Sequence, residues 1–271
     1  MGNPGLIKLG VNSVLFKDFD YATAAKQIAI CGYDGVEISA IKGMCEHLEL
    51  DLWKEQAAEL KSITAANGLD FLSMEVASTD ETRLLLAFEA AAELGVPVIN
   101  VGPGGKTGIE EDLRSSIDRL SLLSEKAASF GVILCVKAHV GHSIYNTSTT
   151  LKAMDAIASV GFGIDMDPSH IYRAEENPEQ ALPQVLHRVK HIHIRDCKGR
   201  STGPGTIFNQ ACGRGDIDLF AYCKAMVDGK YNGPVCLEVI GAKGNSLDEV
   251  SIVAAESYGY LNACLKALGA R

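Results

Sequence analysis

Eight short runs rich in β-forming residues punctuate this chain, with helical stretches between them. The runs are Leu6–Val11, Gly35–Ile38, Asp70–Val76, Val98–Gly102, Val132–Lys137, Gly161–Met166, Val189–Arg195 and Val235–Val239. In Leu52–Ala66, Glu81–Leu94 and Glu110–Phe130, apolar residues recur every three or four positions, the period of an amphipathic helix. Gly32, Gly68, Gly95, Gly131 and Gly161 stand where helical stretches give way to the next run, as C-terminal stops. Eight strand–helix units predict an α/β fold, a single (β/α)8 TIM barrel. A doubly wound open sheet usually has fewer strands and a glycine-rich dinucleotide loop after the first. Here the first run opens into Gly10-Val11-Asn12-Ser13, which has no such loop. No linker or shift of composition interrupts residues 1–271, which are expected to form one domain.

In such a barrel the chemistry gathers at the C-terminal ends of the strands. The polar residues at the ends of these runs are Glu37, Glu75, Lys137, His139, Asp165, Asp167, His170, His191, His193, Asp196 and Glu238. Glu238 is the strongest single signal. It sits between Leu237 and Val239, and a lone buried charge is costly unless it meets a cation, a partner or a proton. Glu75 and Glu37 give weaker versions of the same signal. Asp167 and His170, three residues apart after a strand, suit a divalent metal and suit a helix cap equally well. His191 and His193 share one face of their strand. The deeper His191 reads as a core residue, and His193, nearer the rim, as a ligand.

Two glycine-bearing loops invite functional readings. Gly102-Pro103-Gly104-Gly105-Lys106-Thr107 fails as a phosphate loop, because Asn100 stands where the first glycine is required. It reads instead as a rim loop beside the substrate entrance. Cys212–Asp218 reads as a loop feeding an acid-capped helix, whose start, with Arg214, either receives an anion or is simply capped.

Composition narrows the partners. The net charge of −9 argues against a non-specific nucleic-acid surface. The eight cysteines show no CxxC spacing and mostly sit among apolar residues, as buried thiols in a reducing compartment do. The start, MGNPGLIKLG, lacks the pattern of a signal peptide, and no run approaches the ~18 apolar residues of a membrane span. A cytoplasmic protein is expected, with no membrane or nucleic-acid partner and compatible with a homo-oligomer.

The segments Gly32-Tyr33-Asp34-Gly35-Val36-Glu37-Ile38, Asp167-Pro168-Ser169-His170, His191-Ile192-His193-Ile194-Arg195-Asp196, Gly213-Arg214-Gly215-Asp216 and Leu237-Glu238 occur in that order. Together they resemble the xylose isomerase-like TIM barrels: sugar (phosphate) isomerases and epimerases, inosose dehydratases and endonuclease IV. The resemblance implies a divalent metal, manganese, magnesium, cobalt or zinc. A glutamate on the fifth strand, an aspartate on the sixth, a histidine on the seventh and a glutamate on the eighth would hold it. Asp167, His193 and Glu238 match three of these, and His170 matches a histidine that contacts substrate hydroxyls. The resemblance also implies proton transfer next to a carbonyl, shared by the two glutamates.

The fifth-strand position holds Lys137 instead, with His139 two residues on. A protonated lysine has no lone pair to offer a metal, and nearby carboxylates keep it protonated. Three arrangements follow. The metal persists on three protein ligands, the ammonium takes the metal's place, or a neutral Lys137 acts as base or forms a Schiff base. A metal-capable site is the expectation adopted. The expected reaction is proton transfer next to the carbonyl of a small polyol, ketose or inositol-derived ketone. Glu238 would be the base, and Lys137 the electrophile or proton donor. His170, His139, Glu75 and Arg200 would bind substrate, with Arg195 and Lys198 competing for the place of Arg200. The alternative is a sugar-binding barrel without metal or turnover. An endonuclease IV-like enzyme would need further ligands and a basic groove, against the net charge.

Overall fold

Each β-rich run becomes one stave of a closed parallel barrel. The computed structural model describes residues 6–201 and 203–271. The staves are β1 (Leu9–Asn12), β2 (Gly35–Ile41), β4 (Asp70–Glu75), β5 (Val98–Val101), β6 (Ile133–Lys137), β7 (Phe162–Asp165), β8 (Val189–Ile194) and β9 (Val235–Leu237). β1 pairs in parallel with both β2 and β9, and that double pairing closes the ring. The expected runs overshoot the observed strands by one to three residues at several ends. The overshooting residues make loop contacts beyond the ladder, as when Val76 N donates to the Asn100 carbonyl after β4 has ended.

One strand has no counterpart among the eight runs. β2 continues past Ile38 to Ile41, and the chain folds back as β3 (Cys45–Glu46), antiparallel to it. Ser39 fixes this turn, its hydroxyl donating to the Cys45 carbonyl at 2.8 Å. Two residues of strand carry too little pattern to be read as periodic.

The helices between staves are α1 (Tyr21–Cys31), α2 (Trp53–Ala66), α3 (Glu81–Leu94), α4 (Glu110–Ser129), α5 (Thr147–Ala156), α6 (Pro168–Arg173), α7 (Pro178–Val185), α8 (Ile207–Gln210), α9 (Leu219–Asp228) and α10 (Leu247–Ala267). Gly32 and Gly95 end α1 and α3 in the left-handed conformation, as their positions predict. Gly161 is different. Its φ is not positive, and a Cβ there would lie 2.2 Å from the Ser124 carbonyl oxygen of α4. This glycine permits a close approach of backbones rather than stopping a helix. Among the described residues, no helix is long and apolar enough to cross a membrane.

Strand alternation divides the staves. On β8, Ile192 and Ile194 share one face, and His191 and His193 the other. The register lines up the polar residues: Asn12 opposite Glu37, Glu37 opposite Ser73, Glu75 opposite Asn100, Lys137 opposite Asp165, and Asp165 opposite His191. Residues far apart in sequence thus meet inside the barrel as ionisable and hydrogen-bonding groups.

Candidate active site

The interior polar groups form two connected clusters. The first consists of fully buried side chains. The His193 Nε2 lies 2.5 Å from Glu37 Oε2, and its Nδ1 lies 2.5 Å from Asp165 Oδ2. Burial disfavours an imidazolium, but Asp165 and Glu37 outweigh it, and the His193 pKa lies well above the ordinary range. Both ring nitrogens therefore donate. The same pairing holds Asp165 well below the usual carboxylate range and lowers Glu37, although burial opposes both. His191 bridges Asp165 at 3.0 Å and the Ser73 hydroxyl at 2.9 Å. Asn100 donates to the other Glu37 oxygen at 2.6 Å.

The second cluster faces a cavity of about 350 Å³. Lys137, the last residue of β6, donates to Glu238 Oε1 at 2.7 Å and to Glu75 Oε1 at 3.1 Å. Burial works against its charge. Glu238 and Glu75 overcome that penalty and hold the ammonium above the ordinary lysine range. The two carboxyls respond differently. Burial opposes the charge on Glu238, but Lys137, His193 and Arg195 outweigh it and hold Glu238 well below the usual range. Burial and the charge of Glu238 push Glu75 up to about 8. Asn12 Nδ2 donates to Glu75 at 2.5 Å and, with Lys137, steadies its ionised form. Glu75 is thus the carboxyl of this cluster whose proton is exchanged most readily near neutral pH.

Arg195 closes the arrangement. Its guanidinium lies 3.1 Å from Asp167 Oδ2 and 3.5 Å from Glu238 Oε2. Neither of those oxygens has a hydrogen-bond partner among the described residues, so Arg195 answers their charge but not their full acceptor capacity. Asp167 also caps α6, accepting from Ser169 N and Ser169 Oγ, each at 2.7 Å. Both readings of Asp167 left open by the sequence had physical content, and the cap is the one its Oδ1 fulfils.

The cavity wall carries three adjoining imidazoles, His139 stacked on His142 and tilted against His170. His139 lies 4.2 Å from His142 and 4.1 Å from His170, centroid to centroid. Burial and Lys137 push His139 down to about 4, burial lowers His142, and burial with Arg195 holds His170 well below the ordinary range. These rings are neutral. Gly102 of the rim loop also lines the cavity. A larger depression of about 640 Å³ opens at the opposite end of the barrel, around strand-opening residues such as Lys8, Asp70 and Pro234. Its lining carries Lys61 and the exposed Lys8–Asp70 pair, whereas the buried ionisable groups line the smaller cavity.

Several expected positions are thereby revised. Arg200 does not reach the cavity. Its guanidinium donates to the Tyr172 and Glu176 carbonyls and to Asn177, and stacks 3.9 Å from the Tyr172 ring. Arg195, which competed with it, takes the interior position. Arg214 forms a two-pronged pair with Glu256 at 2.6 and 2.7 Å, and Asp218 caps α9, so that helix start is capped rather than open to an anion. Asp196 accepts from Cys197, Gly213 and Ile217 backbone nitrogens and organises the Gly213–Asp218 loop.

Asp167, His193 and Glu238 do not form one ligand set among the described residues. The groups whose ligand-type atoms lie within 4.8 Å of one another are Glu37, His191 and Cys236; Asp165, His191 and His193; and Glu37, Glu75 and His193. Glu37, His191 and His193 each belong to two of these three buried groups, so the possible metal-binding cluster lies among them rather than at Asp167 and Glu238. Arg173 and Asn12 were not foreseen. Arg173 ends a short helix, and Asn12 stands in sequence only in the opening after the first run.

A closed barrel with acids, bases and fixed cations around a cavity of this size defines a small-molecule site. A family model, the xylose isomerase-like TIM barrel, matches residues 25–260. The chain belongs to that family. It is 22% identical over 280 residues to an inosose dehydratase of Clostridium botulinum, with 88% of this chain and 91% of the relative covered. A D-allulose 3-epimerase from Methylomonas sp. superposes with a TM-score of 0.75 at 17% identity, over 98% of this chain and 100% of the other. A probable 3-DHS dehydratase from Bacillus anthracis gives 0.74 at 14% identity, over 94% and 98%. The solved structures share the fold at these identities.

Proposed function

We propose that the cavity moves a proton next to the carbonyl of a small sugar or polyol-derived ketone. This step is common to epimerisation, isomerisation and dehydration of such ketones. The observation that carries the reading is the Lys137 ammonium held between Glu238 and Glu75, one carboxyl kept ionised and the other pushed up to about 8. Two carboxyls driven apart in this way suit a base and a proton-carrying partner. Glu238, with Oε2 free of hydrogen bonds, takes the proton, and Glu75 exchanges it. An ammonium has three donors, and two are engaged here. The third N–H of Lys137 is assigned to the substrate carbonyl oxygen, where negative charge develops as the proton leaves. The names of the relatives, an inosose dehydratase and a ketose epimerase, agree with a polyol ketone as substrate.

The residues do not fit a divalent metal in the role implied by the resemblance. Lys137 stands at one ligand position, Arg195 lies against Asp167 and Glu238, and His193 has both nitrogens engaged with carboxylates. A metal there would have to displace two fixed cations and deprotonate an imidazolium. A Schiff base on Lys137 is disfavoured by the same carboxylates, which keep the amine protonated.

The test is exchange of substrate α-protons into D2O, followed by 1H NMR with a panel of inososes and 2-ketohexoses. At least one compound should exchange, and Glu238→Gln should slow that exchange by roughly 10²-fold or more. Ligands that bind but never exchange would instead establish a sugar-binding barrel without turnover.

A further inference from the structure

Among the described residues three cations line the cavity, and two of them are paired. Lys137 is held by Glu75 and Glu238, and Arg195 by Asp167 and Glu238. The third is Arg173, the last residue of α6. Its Nε donates to the Ser169 carbonyl at 3.1 Å, and it forms no carboxylate pair among the described residues. Its remaining contact is a terminal nitrogen 3.1 Å from His170 Nδ1.

That contact is a poor one by count of donors. Arg195 NH2 lies 2.9 Å from His170 Nε2, while Arg173 and the Val140 N–H both approach Nδ1. A neutral imidazole has one accepting nitrogen and one N–H. It cannot accept from the guanidinium groups on both sides. The stacked His139 and His142 are neutral as well and supply no counter-charge. The wall therefore presents a half-buried guanidinium with unused donors, with Asp167 and Glu238 acting on it from beyond ion-pairing distance and no carboxylate paired to it among the described residues.

We propose that the substrate carries an anionic group, a carboxylate or a phosphate, that seats on Arg173. The reacting compound is then a sugar acid or a sugar phosphate rather than a neutral sugar, an inference that rests on reading the cavity as the site of α-proton transfer. A guanidinium offers paired donors matched to either anion. Arg173 lines the same cavity but pairs with neither Glu75 nor Glu238, which leaves Lys137 for the carbonyl end of the same molecule.

The test is isothermal titration of the whole protein with D-fructose, D-fructose 6-phosphate and 5-keto-D-gluconate, with unfolding curves to confirm that each variant is folded. At least one anionic probe should bind about ten-fold or more tightly than D-fructose, and which one does so distinguishes phosphate from carboxylate. Arg173→Gln should abolish that preference, and Arg173→Lys should keep part of it. Equal binding of all three probes, no binding of either anion, or a preference that survives Arg173→Gln would overturn the assignment. The D2O exchange assay separates this from the broader reading. Anion selectivity through Arg173 without exchange defeats the enzymatic reading alone, whereas exchange of neutral ketoses without anion selectivity defeats the Arg173 assignment alone.

Discussion

Without the Lys137 ammonium, Glu75 and Glu238 would share a buried site with no cation between them. Removing one partner of a buried ion pair costs about 3–5 kcal/mol, so Lys137→Met should lower the unfolding free energy by an amount of that order, read from urea denaturation. An unchanged midpoint would mean the ammonium is not buried between the carboxyls. Glu75 gives a pH signature. Its folded pKa is raised, so the stability tied to it is full below the ordinary glutamate range and is lost as pH rises through about 8. Glu238 and Asp165 are held low and act in the opposite sense, their stability being lost as pH falls through their folded values. Glu75→Gln should therefore flatten the decline of Tm between about pH 4.5 and 8 and leave the losses due to Glu238 and Asp165 at lower pH in place. A decline over that range as steep as the parent's would remove Glu75 from this role. At this scale the sequence was partly legible. A glutamate between leucine and valine demanded a partner, and Lys137 was a candidate. The clamp of His193 between Glu37 and Asp165 was not legible, because it depends on cross-barrel register between segments some 150 residues apart.

Among the elements, two glycines should respond oppositely to alanine. Gly161 lies where α4 crosses the start of β7, and its Cβ would sit 2.2 Å from a backbone oxygen. Gly161→Ala should destabilise by roughly 1–3 kcal/mol, as overpacking against backbone does. Gly259 lies exposed within α10 with no atom within 4 Å of its would-be Cβ. Gly259→Ala should stabilise by about 0.5–1 kcal/mol through helix propensity. Thermal unfolding of both variants checks the pair, and shifts of the same sign would contradict the packing described here. Strand and helix order was readable because the two periodicities differ so clearly. The hairpin β3 was not, and Gly161 was assigned the wrong task because a helix stop and a close backbone approach both call for glycine.

At the scale of the whole molecule, closure between β1 and β9 brings Glu75, Lys137, Asp167, Arg195 and Glu238 into ion-pairing distance of one another in sequence-distant steps. That convergence followed from counting strands. The balance of charge did not, because a chain of net charge −9 gives no hint that its cavity holds three cations. The resemblance implies a metal because the acid and imidazole ligand types are present; Lys137 is visible beside them in sequence, but the placing of Arg195 against Asp167 and Glu238 emerges only once the ring is closed. In the proposed reaction Lys137 supplies the positive charge at the reacting carbonyl. The direct measurement is the rate of α-proton exchange in D2O for protein stripped with EDTA, before and after addition of manganese, alongside Lys137→Met. The stripped protein should exchange as fast as the untreated one, manganese should add nothing, and Lys137→Met should lose exchange in every condition. Exchange that vanishes on stripping and returns with manganese would contradict that role of Lys137.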